Sequence, residues 1–242
     1  MSIQETKNKR DIRFVVSVGM FSALSYVVIA LCQFIPNVSG FLSVEIKDAV
    51  IVIASFIYGP WAGVLISFIV SLLESLSFGY VTAFWGFLMN FISSSVFALT
   101  ASIIYRRKKS LNSAILGVAV TVLATTVTMV ILDIFIVPMF FIGGWLDSLI
   151  VFVQNPDFSV VMPLLLPVLL PFNFAKALLN GAVALMLYKP IINAMRAAGI
   201  IEKGKYKTSF NKTTVVSIIT GSLFLIVSLS MIVALLILFP AK

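Results

Sequence analysis

Asn173, Lys176 and Asn180 stand at i, i+3 and i+7 of one apolar run, so a helix puts all three on the same face. An ammonium flanked by carboxamides offers donors and acceptors suited to a planar heterocycle with imide and carbonyl edges. A lysine at the centre of a membrane helix costs about 2.5–3.5 kcal/mol on insertion scales, and chains keep one where it faces a cavity or a partner. Glu74, Asp133 and Asn90 are the other groups expected at that depth. Two readings fit them. Either they line a cavity with Lys176, or Lys176 pairs with Asp133 as a structural staple while the amides bond across helices and Glu74 reaches the headgroups. Phe41, Tyr80, Trp85 and Phe172 flank the same region, where aromatic rings stack on a ligand or sit in an interfacial belt.

The rest of the composition narrows the chemistry. The chain has no histidine and a single cysteine, Cys32, which rules out histidine acid–base catalysis, the usual His-containing metal sites and an internal disulfide. It has no Walker loop, no nucleophile elbow and no metal-ligand cluster. We therefore expect a binding protein rather than an enzyme, without cofactor or metal, and with no motor of its own.

Of 242 residues, 61% are hydrophobic and 11% charged, against roughly 25% charged in a soluble domain. Several apolar runs exceed the ~20 residues that span a bilayer. The expected fold is an all-α membrane bundle. Its helices are predicted over 12–34, 48–58, 61–76, 81–105, 111–141 and 160–195, with a kink at Pro171, and a seventh follows over 213–239. Residues 1–11 read as a polar tail, 12–198 as a six-helix membrane domain, 199–212 as a basic linker and 213–242 as an extra transmembrane helix. The stretch 143–158 reads as a mixed loop.

The net charge is +8. Basic residues gather before the first helix, at Arg106 to Lys109, and from Lys189 to Lys212. An even number of spans separates these clusters, so all can face the cytoplasm, with the N-terminus inside. Topology accounts for the basic residues, and no nucleic-acid partner is implied. Glu45, Lys47 and Asp48 then fall in an outer connection.

Several stretches resemble the substrate-binding S components of energy-coupling factor (ECF) vitamin transporters, in particular the riboflavin-specific branch. They are Ile46-Lys-Asp-Ala-Val-Ile51, Tyr58-Gly-Pro-Trp-Ala-Gly63, Phe87-Leu-Met-Asn-Phe-Ile-Ser-Ser94, Leu170-Pro-Phe-Asn-Phe-Ala-Lys176 and Leu187-Tyr-Lys-Pro190. The similarity runs over about residues 12–198. It implies a six-helix fold in the bacterial cell membrane and a vitamin bound near the outer face under the loop between helices one and two. It also implies delivery through a transmembrane T component and two ATPase subunits. It assigns flavin contacts to Asn173 and Lys176, adds Asn90, and makes Gly19 and Ala23 the small-residue face that docks on the T component. Where relatives often show Trp-Asn-Tyr, this chain has Leu132-Asp133-Ile134, the loop after helix five is longer, and the seventh helix is an addition. The first two departures leave riboflavin, a phosphorylated flavin or another vitamin open as ligand. A self-sufficient ion-coupled transporter, with Asp133 or Glu74 as the coupling carboxylate, is the alternative.

Overall fold

In lipid each backbone N–H and C=O must find a partner within the chain, so apolar runs of this length coil into helices. The structure, a computed structural model, describes residues 3–78, 83–108, 110–142, 145–159, 161–197 and 212–240. Tyr80, Lys109 and the basic stretch 198–211 lie outside them.

The helices are α1 (Ile3–Cys32), α2 (Lys47–Tyr58), α3 (Pro60–Phe78), α4 (Ala83–Lys108), α5 (Leu111–Ile142), α6 (Trp145–Gln154), α7 (Met162–Leu164), α8 (Leu170–Ala197) and α9 (Lys212–Leu238), with a π-helical turn at Leu165–Leu169 between α7 and α8. Six segments of the described residues are long and apolar enough to cross a membrane: those of α1, α3, α4, α5, α7 to α8, and α9. Together with the short α2 they form the expected six-helix core and the added C-terminal helix.

Three local expectations need correction. Helix α1 starts at Ile3, so residues 3–11 of the expected tail continue the helix. The stretch expected as a loop over 143–158 contains α6, where apolar residues such as Leu149, Ile150 and Val153 flank the buried Ser148. The irregularity expected at Pro171 is spread instead over the π turn that contains Pro167. Pro171 follows directly on that turn within the continuous helical run Met162–Met195, so its missing N–H falls where the π turn has already broken the i→i−4 ladder.

Helix α2 has 12 residues and rises only about 18 Å. Every residue from Lys47 to Phe56 is buried. It is enclosed by α1, α3, α4 and α8, which explains its nearly continuous run of Val, Ile and Ala. Its C-terminal end closes on Gly59 at φ 111°, and a Cβ there would lie 2.5 Å from the Arg106 guanidinium. Helix α9 lies against α8. Ser217 donates to the Leu185 carbonyl at 2.5 Å, and a Cβ on Gly221 would stand 2.9 Å from the Ala182 carbonyl oxygen, so only glycine permits this approach.

Candidate functional site

The connection from α1 to α2, the ends of α3 and α5 and the starts of α4 and α8 meet at one end of the bundle around a cavity of about 270 Å³. Asn173 and Lys176 reach it from the first turns of α8, Asp133 from α5, Glu74 from α3, Asn90 from α4 and Phe41 from the connection. Phe78, Phe87 and Phe172 add apolar wall, and Phe87 stacks on Phe91 at an interplanar angle of 5°.

A buried ionic chain supports the polar side. The Lys47 ammonium donates to Glu45 Oε2 at 2.6 Å and to Glu74 Oε2 at 2.5 Å. Lys176 Nζ reaches the same Glu45 Oε2 at 3.2 Å. Asn90 Nδ2 donates to Glu74 Oε1 at 3.0 Å, and the Ser43 hydroxyl donates to Glu45 Oε1. Burial disfavours the Glu45 carboxylate, but the ammonium groups of Lys176 and Lys47 and the bonds from Lys47 and Ser43 outweigh it. They hold that carboxyl well below the usual range. Two carboxylates thus face two ammoniums, the arrangement that makes buried charge tolerable.

Of the two readings, the Lys176–Asp133 staple is not formed, and two separate pairings stand in its place. Lys176 goes to Glu45, and Asp133 Oδ2 accepts from Asn173 Nδ2 at 2.6 Å. The reason is reach. Glu45 enters from the connection directly beside α8, while Asn173 lies one turn nearer to Asp133. Glu74, which could have reached headgroups, is buried against Lys47. Asn173 is oriented by Asp133, which leaves its carbonyl oxygen and its second N–H for a ligand, and Lys176, 18% exposed, keeps protons to donate.

Asn180 shares the helical face but does not line the cavity. It is fully buried. Its Oδ1 accepts from the Ala49 N–H at 3.0 Å, in the first turn of α2, and its Nδ2 donates to the Glu45 carbonyl at 2.8 Å and the Lys176 carbonyl at 3.0 Å. It serves as a cap supplied from another helix. Asn180→Leu should lower stability by about 1–3 kcal/mol through orphaned backbone groups, visible as a lower melting temperature in detergent. An unchanged melting temperature would contradict this role.

Trp85 is also placed elsewhere. Its indole N–H donates to Ser148 of α6 at 3.0 Å, among Ile136, Met139 and Phe152. Gly19 and Ala23 lie exposed on α1, and a Cβ on Gly19 would meet nothing within 4 Å.

Glu45 and Lys47 were not expected at the site, since they read as residues of a solvated connection. The available signal was their position immediately before an unbroken apolar run, where a charge must go inward with the helix or find a partner.

A membrane bundle with one lined, mouth-like cavity and a preorganised polar wall defines a small-molecule-binding membrane protein. The family described as ECF transporter, substrate-specific component matches residues 13–188, and the chain belongs to it. It is thus the substrate-specific component of a transporter, not an enzyme. The chain is similar to the riboflavin transporter RibU of Staphylococcus aureus (strain TCH60), at 27% identity over 192 residues, covering 78% of this chain and 94% of the relative. It is also similar to the riboflavin transporter FmnP of Bacillus subtilis (strain 168), at 29% over 200 residues, covering 78% of this chain and 98% of that protein. A solved S component of a bacterial ECF transporter superposes with a TM-score of 0.57 at 25% identity, over 78% of this chain and 99% of the other.

Proposed function

We propose that this chain is the riboflavin-binding S component of an ECF importer in the bacterial cell membrane. It takes the vitamin from the outside and delivers it inward with a T component and two ATPase subunits. The observation that carries this reading is the cavity wall itself. Asn173, Lys176 and Asn90 line it with amide and ammonium groups, and Phe41, Phe87 and Phe172 line it with rings, the two kinds of contact that a flat ring with imide and carbonyl edges requires. The names of the relatives support the same ligand. Arg13, Arg106, Arg107 and Lys108 lie at the end of the bundle away from the cavity, which supports a cytoplasmic N-terminus and an outward mouth. Gly19 and Ala23 would meet the T component.

The test is titration of riboflavin into the purified chain, read by quenching of flavin fluorescence. Saturable binding in the absence of nucleotide and of any ion gradient is expected. Absence of binding, together with gradient-driven uptake by the chain alone in vesicles, would refute the proposal.

The wall also bears on the ligand's charge. Lys176 already faces Glu45, and Glu74 and Asp133 stand beside it. A phosphate entering the cavity would meet two carboxylates and no uncommitted cation. The phosphorylated flavin should therefore bind at least about tenfold more weakly than riboflavin, a difference of roughly 1.4 kcal/mol, in competition titrations.

A further inference from the structure

The connection between α1 and α2 has two faces. Toward the cavity it presents Asn37, Phe41, Leu42 and Ser43. It is folded on itself by a two-way bridge, Val38 N–H to Leu42 carbonyl at 2.9 Å and Leu42 N–H to Val38 carbonyl at 3.1 Å, around Ser39 and Gly40 at φ 52° and 81°. The tip therefore moves as a unit. Its other face is held by α9. The Ser39 N–H donates to the Phe239 carbonyl at 3.0 Å, just beyond the last turn of α9. Val38 and Val44 are buried in one apolar cluster with Ile232 and Leu235 of α9 and with Val168 and Phe172.

We propose that α9 is a clamp on the loop that covers the cavity, so that this added helix sets how readily the ligand enters and leaves. The helix lies beyond residues 13–188, the part that matches the family. The outer face of the loop is completed by it. The clamp deepens the proposed riboflavin site and rests on that reading for its effect on ligand exchange. Its effect on loop opening is independent of any ligand.

Cys32, the single cysteine of the chain, supplies a reporter. It is buried and is the last residue of α1, where the connection begins. The experiment compares wild type, the double variant Ile232→Ala/Leu235→Ala and the control Ile226→Ala, whose side chain is 65% exposed. Two rates are measured on full-length protein in detergent: labelling of Cys32 by a maleimide without ligand, and release of bound riboflavin. The double variant should raise both rates at least about tenfold, equivalent to roughly 1.4 kcal/mol of lost clamp, and the control should match wild type. Both rates unchanged in a folded double variant overturn the proposal.

Should the double variant not fold, a covalent staple decides: Ser39→Cys with Phe239→Cys in a Cys32→Ser background. Oxidation should slow riboflavin release, and reduction should restore it. A staple that does not form, or that leaves release unchanged, overturns the clamp. If wild type binds no riboflavin, the functional reading fails, while the Cys32 labelling rates still decide whether α9 holds the loop.

Discussion

Lys176→Ala should weaken riboflavin binding by roughly 10- to 150-fold, and Asn173→Ala should do nearly as much, both read by calorimetric or fluorescence titration. A hydrogen bond from a charged donor is worth about 1.5–3 kcal/mol when its acceptor is buried, and the cavity is enclosed by α3, α4, α5, α8 and the covering loop. The lysine variant does a second thing. It removes one of the two ammoniums that face Glu45, leaving extra negative charge beside the ligand's electron-rich edge. Lys176→Met, which restores most of the side-chain volume, should therefore not rescue affinity, whereas Asp133→Asn should cost less than either, since Asn173 can still be oriented by an amide oxygen. If both Lys176→Ala and Asn173→Ala bind as wild type does, the ligand sits elsewhere.

The largest effect on folding is expected from Lys47→Met. This ammonium is 1% exposed and bonded to two carboxylates. Removing one member of a buried ionic network leaves the others uncompensated, at a cost of about 3–5 kcal/mol, comparable with the whole stability of many domains. The variant should be recovered in low yield and lose monodispersity on mild heating. Adding Glu74→Gln restores the charge balance among Glu45, Glu74 and Lys176, and should return a large part of the lost stability. A Lys47→Met protein as stable as wild type would show that the network is dispensable.

The fold was largely legible because its signal is coarse: long apolar runs, basic clusters and a lysine that has to be explained. Asn173, Lys176, Asn90, Asp133, Glu74 and Phe41 were all identified by type and depth, and all six line one cavity. What one chain of letters does not carry is azimuth and reach. Asn180 shares the face of Lys176 yet is spent on the Ala49 N–H, because the N-terminus of α2 happens to abut α8 one turn deeper. The partner of Lys176 was left open between cavity and staple for the same reason. Asp133 and Glu45 are equally acidic, and only the path of the connection decides which of them is near. Glu45 and Lys47 were hidden because a polar tetrad such as Glu-Ile-Lys-Asp reads as solvated, whereas here it opens a helix that is buried from its first residue.

That short buried helix has one more consequence. Below the cavity, Ala49, Ile51, Val52, Ile53 and Ala54 are packed at 0–1% exposure against Ile66, Val70, Phe97, Ala98 and Leu185. The vessel has a solid base. It is a cup rather than a pipe, and a molecule resting in it has the mouth as its doorway. Opening that mouth lets the cargo out on the side from which it came. On the reading proposed above, inward delivery would require the whole body of the protein to reorient rather than a gate within it to open.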